Sequence, residues 1–85
     1  MSEEEVGRIV KFFAKPSVAA IEMTGGTIKP GDTLKFKGHT TDFTDEIGRI
    51  EIDNQAVEEA KAGDLVGIKV TERVRENDTV YKVVE

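Results

Sequence analysis

The sequence predicts a small all-β barrel, and three observations lead to that prediction. Apolar residues alternate with polar ones at a period of two in Leu34–Lys37 and again in Val66–Val70, which is typical of strands with one buried face. Turn-forming residues recur about every 8 to 12 residues. No amphipathic helix of useful length interrupts this order. About six short strands in one small chain favour a barrel, because a sheet that curls on itself buries much apolar area.

The first half of the chain contains three predicted strands, at 6–13, 18–23 and 34–37. Pro16 ends the first of them, because proline has no amide hydrogen for a strand ladder. In the second, Ala19 and Ala20 indicate close packing inside a barrel. Pro30 and Gly31 precede the third and suit the two central positions of a type II turn, where glycine supplies the positive φ.

The second half contains three more predicted strands, at 43–53, 65–70 and 78–84. A β-bulge is expected at Gly48, where the apolar alternation of the first of these slips by one residue. The segment 57–63 reads as an acidic corner with room for one helical turn. Gly63 offers the positive φ that a sharp reversal needs, and Asp64 can cap the turn with its side chain.

Length and composition bound the kind of protein. With 85 residues and no cysteine, the chain predicts one domain, without disulfide or thiolate metal site. We expect residues 1–5 to be a disordered acidic tail and residues 6–85 to be the single β-barrel domain. The acidic N-terminus is unlike a signal peptide, and no apolar run approaches the ~18 residues of a membrane span, so a cytoplasmic location is expected.

Charge is distributed unevenly along the chain. The formal net charge is −5, which argues against a general affinity for the nucleic acid backbone. Residues 6–41 carry six bases and two acids, whereas residues 42–85 carry six bases and twelve acids. Two interpretations remain open: the first half presents one basic face, or the charges simply alternate outward from the sheet.

Few residues suggest chemistry. His39, the only histidine, is followed closely by Asp42, and together they could form a proton-transfer pair or half of a metal site. Neither a further nucleophile nor further metal ligands accompany them, which favours a surface loop. Glu58 and Glu59 are adjacent carboxylates, but neighbours in a turn rarely have the separation that glycoside chemistry needs.

A basic surface with interleaved aromatic residues is the stronger candidate. Lysines and arginines alternate with phenylalanines in the first and third strands, an arrangement that RNA-binding barrels use to hold phosphates and stack bases. The alternative is that the phenylalanines fill the core and the lysines keep a sheet edge soluble. Tyr81 is a further candidate for an exposed aromatic ring. The residues of the proposed binding surface are Arg8, Lys11, Lys35, Lys37 and His39.

Three segments resemble the second domain of translational GTPases such as elongation factor Tu and initiation factor 2. They are TIKPGDTLKFKG (27–38), VEEAKAGDLVGIKV (57–70) and VRENDTVYKV (74–83). The resemblance implies a closed six-stranded antiparallel Greek-key barrel of the translation-protein type over residues 6–84. Asn77 stands where the family has a turn glycine, and asparagine tolerates the same left-handed conformation.

The resemblance also bounds the function. The chain has no G-x-x-x-x-G-K-[ST] phosphate loop, so the GTP-binding motif of the family is absent. No nucleotide or other cofactor is therefore expected. A non-catalytic binding module is therefore predicted, contacting RNA, the ribosome or a translation protein. Related barrels also occur near or fused to collagenase-like peptidases, so the alternative is an accessory domain that docks on such an enzyme. No membrane partner is expected.

Overall fold

The computed structural model describes residues 2–84 and consists of antiparallel strands joined by turns. The strands are β1 (Ser2–Phe13), β2 (Val18–Met23), β3 (Thr27–Ile28), β4 (Thr33–Lys37), β5 (Asp42–Glu46), β6 (Ile50–Ile52), β7 (Gln55–Val57), β8 (Ala60–Lys61), β9 (Leu65–Lys69) and β10 (Thr79–Val84). The predicted all-β class is thus confirmed. Within residues 2–84, no helix is long and apolar enough to cross a membrane.

Eight of the strands form one sheet in the order β5-β4-β10-β1-β2-β9-β6-β7, and β3 pairs with β8. The order is non-sequential, because β10 lies between β1 and β4 and so brings the two ends of the chain together. The predicted closure into a six-stranded ring is not found: within the described residues, β5 and β7 are the two free edges of the ladder. Sharp corners divide the chain into more and shorter strands than the apolar pattern indicates.

A single apolar core lies inside this coiled sheet. Alternate residues of nearly every strand point into it, as the period of two requires. Phe36 is its largest fully buried side chain and stacks on Phe43 with ring centroids 4.9 Å apart. The predicted inward face of β9 is confirmed, because Val66, Ile68 and the following Val70 are all buried. The other buried apolar residues are Val6, Ile9, Ala19, Ile21, Met23, Ile28, Leu34, Ile47, Ile50, Ala60, Val74 and Val80.

The N-terminal segment differs from the sequence-based expectation. Residues 2–5, expected to be a disordered tail, begin β1 and pair with the end of β10, from Ser2 opposite Val84 to Glu5 opposite Tyr81. Their side chains are exposed on both faces, so no apolar alternation marks them as a strand, but their backbone still completes the ladder. Met1 lies outside the described residues.

The predicted long strand 43–53 is two strands joined by a corner. Ile47 is buried at this corner, and its amide and carbonyl bond to Asp32 O and Gly31 N at 2.9 and 2.7 Å. The backbone bonds of Ile47 therefore go to the turn before β4, and the bulge predicted at Gly48 is replaced by a break. The helical turn considered for 57–63 is likewise wrong, since β7 and β8 occupy that region.

The predicted turns are confirmed in their backbone angles. Gly31 and Gly63 have φ values of 98° and 96°, and Asn77 has a φ of 72°, which is the left-handed conformation expected where the family has glycine. Asp64 caps its turn as predicted, because its carboxylate accepts the Lys61 amide hydrogen at 2.9 Å.

Candidate functional site

Two of the predicted binding residues lie in one row across the outer face of the sheet. Lys37 of β4 stands opposite Thr79 of β10, and Thr79 stands opposite Arg8 of β1. Because neighbouring strands are about 4.8 Å apart, the backbones of Lys37 and Arg8 are about 10 Å apart. The fold therefore brings these two basic residues of the first half onto one face.

Two of the predicted cationic side chains, Arg8 and Lys35, form ion pairs with neighbouring carboxylates. The Arg8 Nε donates to Glu22 Oε1 at 2.9 Å, and the Lys35 Nζ donates to Glu3 Oε2 at 3.2 Å. Exposed pairs of this kind contribute little to stability, but they reduce the positive field that the strand face presents to a ligand. The strand surface is consequently less basic than its sequence indicates.

The other two predicted residues lie near one end of the sheet. The Lys11 Nζ sits 5.2 Å from the ring centroid of Phe13, a cation–π contact. His39 is exposed in the bend after β4, and the neighbouring Thr40 Oγ1 accepts a hydrogen bond from Arg75 Nε at 3.0 Å. Within residues 2–84, no cluster of three or more potential metal ligands occurs, so His39 has no further ligands beside it with which to bind a metal.

The fold places two arginines beside Lys11 that the sequence-based reasoning missed. Arg73 and Arg75 flank the buried Val74, and with Lys11, Phe12 and Glu76 these residues line an open pocket of about 410 Å³. We call it the Arg73–Arg75 pocket. In the sequence, this pocket is indicated only by the alternation Arg73-Val74-Arg75. That pattern does not reveal that β1 packs against the segment.

An apolar groove lies on the exterior of the sheet. It runs over the outer face of β2 and β9, has a volume of about 640 Å³, and has a low floor where Ala20 stands opposite Gly67. Phe13 and Leu65, which are 44% and 58% exposed, both line it, as does Val18. We call it the Phe13–Leu65 groove.

Two large exposed apolar side chains at one groove are more informative than scattered ones. Single exposed leucines are normal on a protein surface, but a contiguous apolar patch with a polar rim is typical of an interaction site. The rim here is acidic and includes Glu51, Asp53 and Asp64. Glu51 pairs with Arg49 at 3.0 Å, and Asp64 is engaged in its turn cap.

The acidic corner carries no comparable site. Glu58 and Glu59 are exposed, and Glu59 reaches Lys29 at 3.9 Å. The two carboxylates therefore belong to a solvated turn, as the sequence favoured. Tyr81 is half-buried on the outer face between Lys35 and Glu5.

The fold and these surfaces define a small antiparallel β domain with an apolar groove and a cationic pocket on its exterior. The chain belongs to a family whose model, elongation factor Tu domain 4, matches residues 3–81. This agrees with the predicted kinship to a β domain of translational GTPases. The narrower assignment to their second domain is not confirmed by that match.

Curated relatives carry peptidase names. The chain is 43% identical over 82 residues to an uncharacterized protease of Methanocaldococcus jannaschii, an alignment that covers 95% of this chain and 20% of the relative. It is 33% identical over 78 residues to collagenase of Porphyromonas gingivalis, covering 91% of this chain and 22% of the relative. The chain thus spans about a fifth of the length of the curated relatives it matches.

Solved structures share the fold. The C-terminal domain of a putative U32 peptidase of Geobacillus thermoleovorans superposes with a TM-score of 0.88 at 20% identity, covering 95% of this chain and 93% of that chain. The GDP-bound initiation factor aIF5B of Aeropyrum pernix superposes with a TM-score of 0.67 at 22% identity, covering 98% of this chain but 14% of the factor. A U32 peptidase and a translation initiation factor therefore both contain a domain of this fold.

Proposed function

We propose that this chain is a non-catalytic docking domain that works with a U32-type, collagenase-like peptidase. The observation that carries the proposal is the sequence match to proteases, at 43% identity over 95% of the chain but only a fifth of the relative. A β domain that recurs as a small part of larger proteases is suited to positioning an enzyme or its substrate. The sequence contains no phosphate loop and no recognisable nucleophile–base motif, which favours a non-catalytic role.

The Phe13–Leu65 groove is the surface proposed to contact the peptidase. Its exposed phenylalanine and leucine can supply the buried apolar anchors that dominate binding energy in protein interfaces. Its small floor residues, Ala20 and Gly67, leave space for side chains of a partner. The carboxylates on its rim favour a partner surface that surrounds an apolar protrusion with basic residues.

A second candidate function is binding of RNA or a ribosomal surface in the manner of the translation-factor family. The shared row of Lys37 and Arg8 and the likeness to a domain of initiation factor aIF5B support it. The ion pairs of Arg8 and Lys35 weigh against it, because they lower the charge available to phosphates. Either function is compatible with the cytoplasmic location that we propose.

Affinity capture with nuclease treatment distinguishes the two functions. The full chain is immobilised and exposed to an extract of its source organism, with and without ribonuclease, and retained proteins are identified. We expect a U32-type peptidase to be retained in both samples, since apolar contacts do not depend on RNA. Retention of ribosomal proteins that disappears after ribonuclease treatment, without the peptidase, would contradict the docking proposal.

Two matched double variants test which surface of the chain contacts the peptidase. Phe13→Ser/Leu65→Ser removes both exposed apolar side chains of the groove and should abolish capture of the peptidase. Lys35→Glu/Lys37→Glu alters the basic surface of β4, which does not line the groove, and should leave that capture unchanged. All four positions point outward, so both variants should keep the circular dichroism spectrum of the parent chain.

A further inference from the structure

The Arg73–Arg75 pocket is lined by three cationic side chains that form no ion pair within residues 2–84. Five other lysines and arginines have a carboxylate oxygen within 4.0 Å, but within residues 2–84 Lys11, Arg73 and Arg75 have none. Glu76 is the only acidic residue that lines the pocket. Lys11, Arg73 and Arg75 all line this one depression, so an anion bound there would meet cationic side chains from two segments of the chain.

Neutral groups hold both guanidinium groups in place. Arg75 donates through Nε to Thr40 Oγ1 at 3.0 Å, which leaves its two terminal nitrogens available. The guanidinium carbon of Arg73 lies 5.8 Å from the ring centroid of Phe12, which orients the group by a cation–π contact. Because neither partner is an acid, the positive charge of each arginine remains available to a ligand.

The segment that carries these arginines is fixed by its backbone. Val74 between them is buried in the core, whereas Arg73 and Arg75 are exposed on either side of it. The Arg75 amide donates to the carboxylate of the buried Asp78 at 2.8 Å, and the Asn77 amide donates to Ile9 O at 2.8 Å. The first bond closes the turn and the second ties it to β1, so that little reorganisation is needed when an anion binds.

We propose that the Arg73–Arg75 pocket binds a carboxylate-bearing peptide segment, that is, a stretch of Glu or Asp residues in a protein partner. Planar guanidinium groups recognise carboxylates through paired hydrogen bonds. The pocket is local, and the chain as a whole has a net charge of −5, which suits a short anionic segment better than a long polyanion.

The same contacts disfavour RNA as the ligand. Single-stranded RNA binds to such surfaces by stacking bases on exposed aromatic rings. Here Arg73 lies over the Phe12 ring and Lys11 lies over the Phe13 ring, so a base would have to displace a cation from each. A carboxylate needs only the cations and leaves both rings covered. This proposal does not depend on which protein occupies the Phe13–Leu65 groove.

Nuclear magnetic resonance titration of the full isotope-labelled chain tests the proposal. The probe is an acetylated and amidated tetraglutamate peptide at low salt, and a short oligouridylate serves as the competing ligand class. We expect saturable shifts of the Arg73 and Arg75 Nε signals and of the backbone amides of residues 73–76. The peptide should bind more tightly than the oligonucleotide.

Charge-neutralising variants locate the binding. Arg73→Gln/Arg75→Gln should weaken peptide binding by at least about tenfold, which is the loss expected for removal of charge-assisted hydrogen bonds. Lys29→Gln/Lys61→Gln removes the same number of charges outside the pocket and should leave the affinity within about twofold, as electrostatic effects at a distance are screened. The backbone amide spectrum of each free variant checks its fold.

Three outcomes would overturn the proposal. They are the absence of saturable binding by the peptide at low salt, equal affinity in the Arg73→Gln/Arg75→Gln variant, and tighter binding of the oligonucleotide than of the peptide. The last would assign the pocket to RNA instead. Since none of these measurements involves a peptidase, their failure leaves the docking function to be tested separately.

Discussion

The Asp45 carboxylate accepts the amide hydrogen of Thr71 at 2.8 Å and the Thr71 hydroxyl at 2.9 Å. This pair joins the edge strand β5 to the segment after β9, two parts of the chain that the strand ladder does not connect. Within residues 2–84 the backbone ladder runs from β5 at one edge to β7 at the other, and this side chain adds a cross-link from the β5 edge. A core enclosed by a coiled sheet thus depends partly on this one contact.

Asp45→Ala should therefore lower the free energy of unfolding by about 0.5–1.5 kcal/mol, the usual net contribution of such hydrogen bonds. Asp42→Ala is the matched control, because Asp42 lies on the same strand and its carboxylate makes no hydrogen bond within the described residues. Urea unfolding followed by circular dichroism measures both. An equal loss in the two variants would show that the link to Thr71 contributes nothing.

Gly7→Ala should be destabilising by about 1–3 kcal/mol, as expected for overpacking against atoms that cannot move. A Cβ at this position would lie 2.6 Å from the backbone oxygen of Glu22 and 2.9 Å from Ile21 Cγ2. Gly48→Ala is the control: its Cβ would meet nothing within 4 Å, and reduced freedom of the unfolded chain should leave stability unchanged or slightly higher. The reverse order of thermal midpoints would contradict this packing.

Asn77→Ala should destabilise the chain by about 1 kcal/mol, because alanine at positive φ places its Cβ too close to the backbone. Asn77→Gly removes that strain and should stay close to the parent, apart from the loss of a long 3.4 Å contact with Arg8. Chemical unfolding of the two variants side by side gives the comparison. If alanine and glycine behave alike, the left-handed turn is not the constraint at this position.

Deletion of residues 2–5 should reduce stability by about 2 kcal/mol, the sum expected for a few backbone hydrogen bonds. These residues pair with β10 from Val84 to Tyr81, although their side chains are exposed. Glu4→Gln keeps the strand while removing one charge and should be nearly neutral. Hydrogen exchange of the β10 amides should become faster only in the deletion, and unchanged exchange there would support a dispensable tail instead.

Local chemistry determines which elements were predictable from sequence. The strand 18–23 was predicted at its observed bounds, and Gly31 and Gly63 were assigned positive φ because no other residue type adopts it at so little cost. In contrast, residues 2–5 carry no apolar alternation, so their pairing with β10 depends on a partner far along the chain. The open ladder likewise depends on corners such as Ile47, whose backbone partners lie in another turn.

The candidate surfaces were predictable only in part for a related reason. Lys11 was selected from its place among aromatic residues, but its companions Arg73 and Arg75 are some sixty residues away in sequence and meet it only through folding. The ion pair of Lys35 with Glu3 has no sequence signal either, because nothing in the acidic pattern of residues 1–5 indicates that they pair with a strand. The apolar groove had no sequence signal of its own, because the pattern assigns Phe13 to a base-stacking surface or to the core and Leu65 to a buried strand.

Docking of a U32-type peptidase on the Phe13–Leu65 groove, as proposed above, is tested most directly by isothermal titration calorimetry. The full chain is titrated into the purified full-length peptidase of the same organism, with Phe13→Ser/Leu65→Ser and Lys35→Glu/Lys37→Glu as the compared variants. We predict saturable binding with a negative heat-capacity change, since apolar area is buried, and its loss only in the groove variant. Absence of binding by the parent chain, or unchanged binding by the groove variant, would contradict the claim.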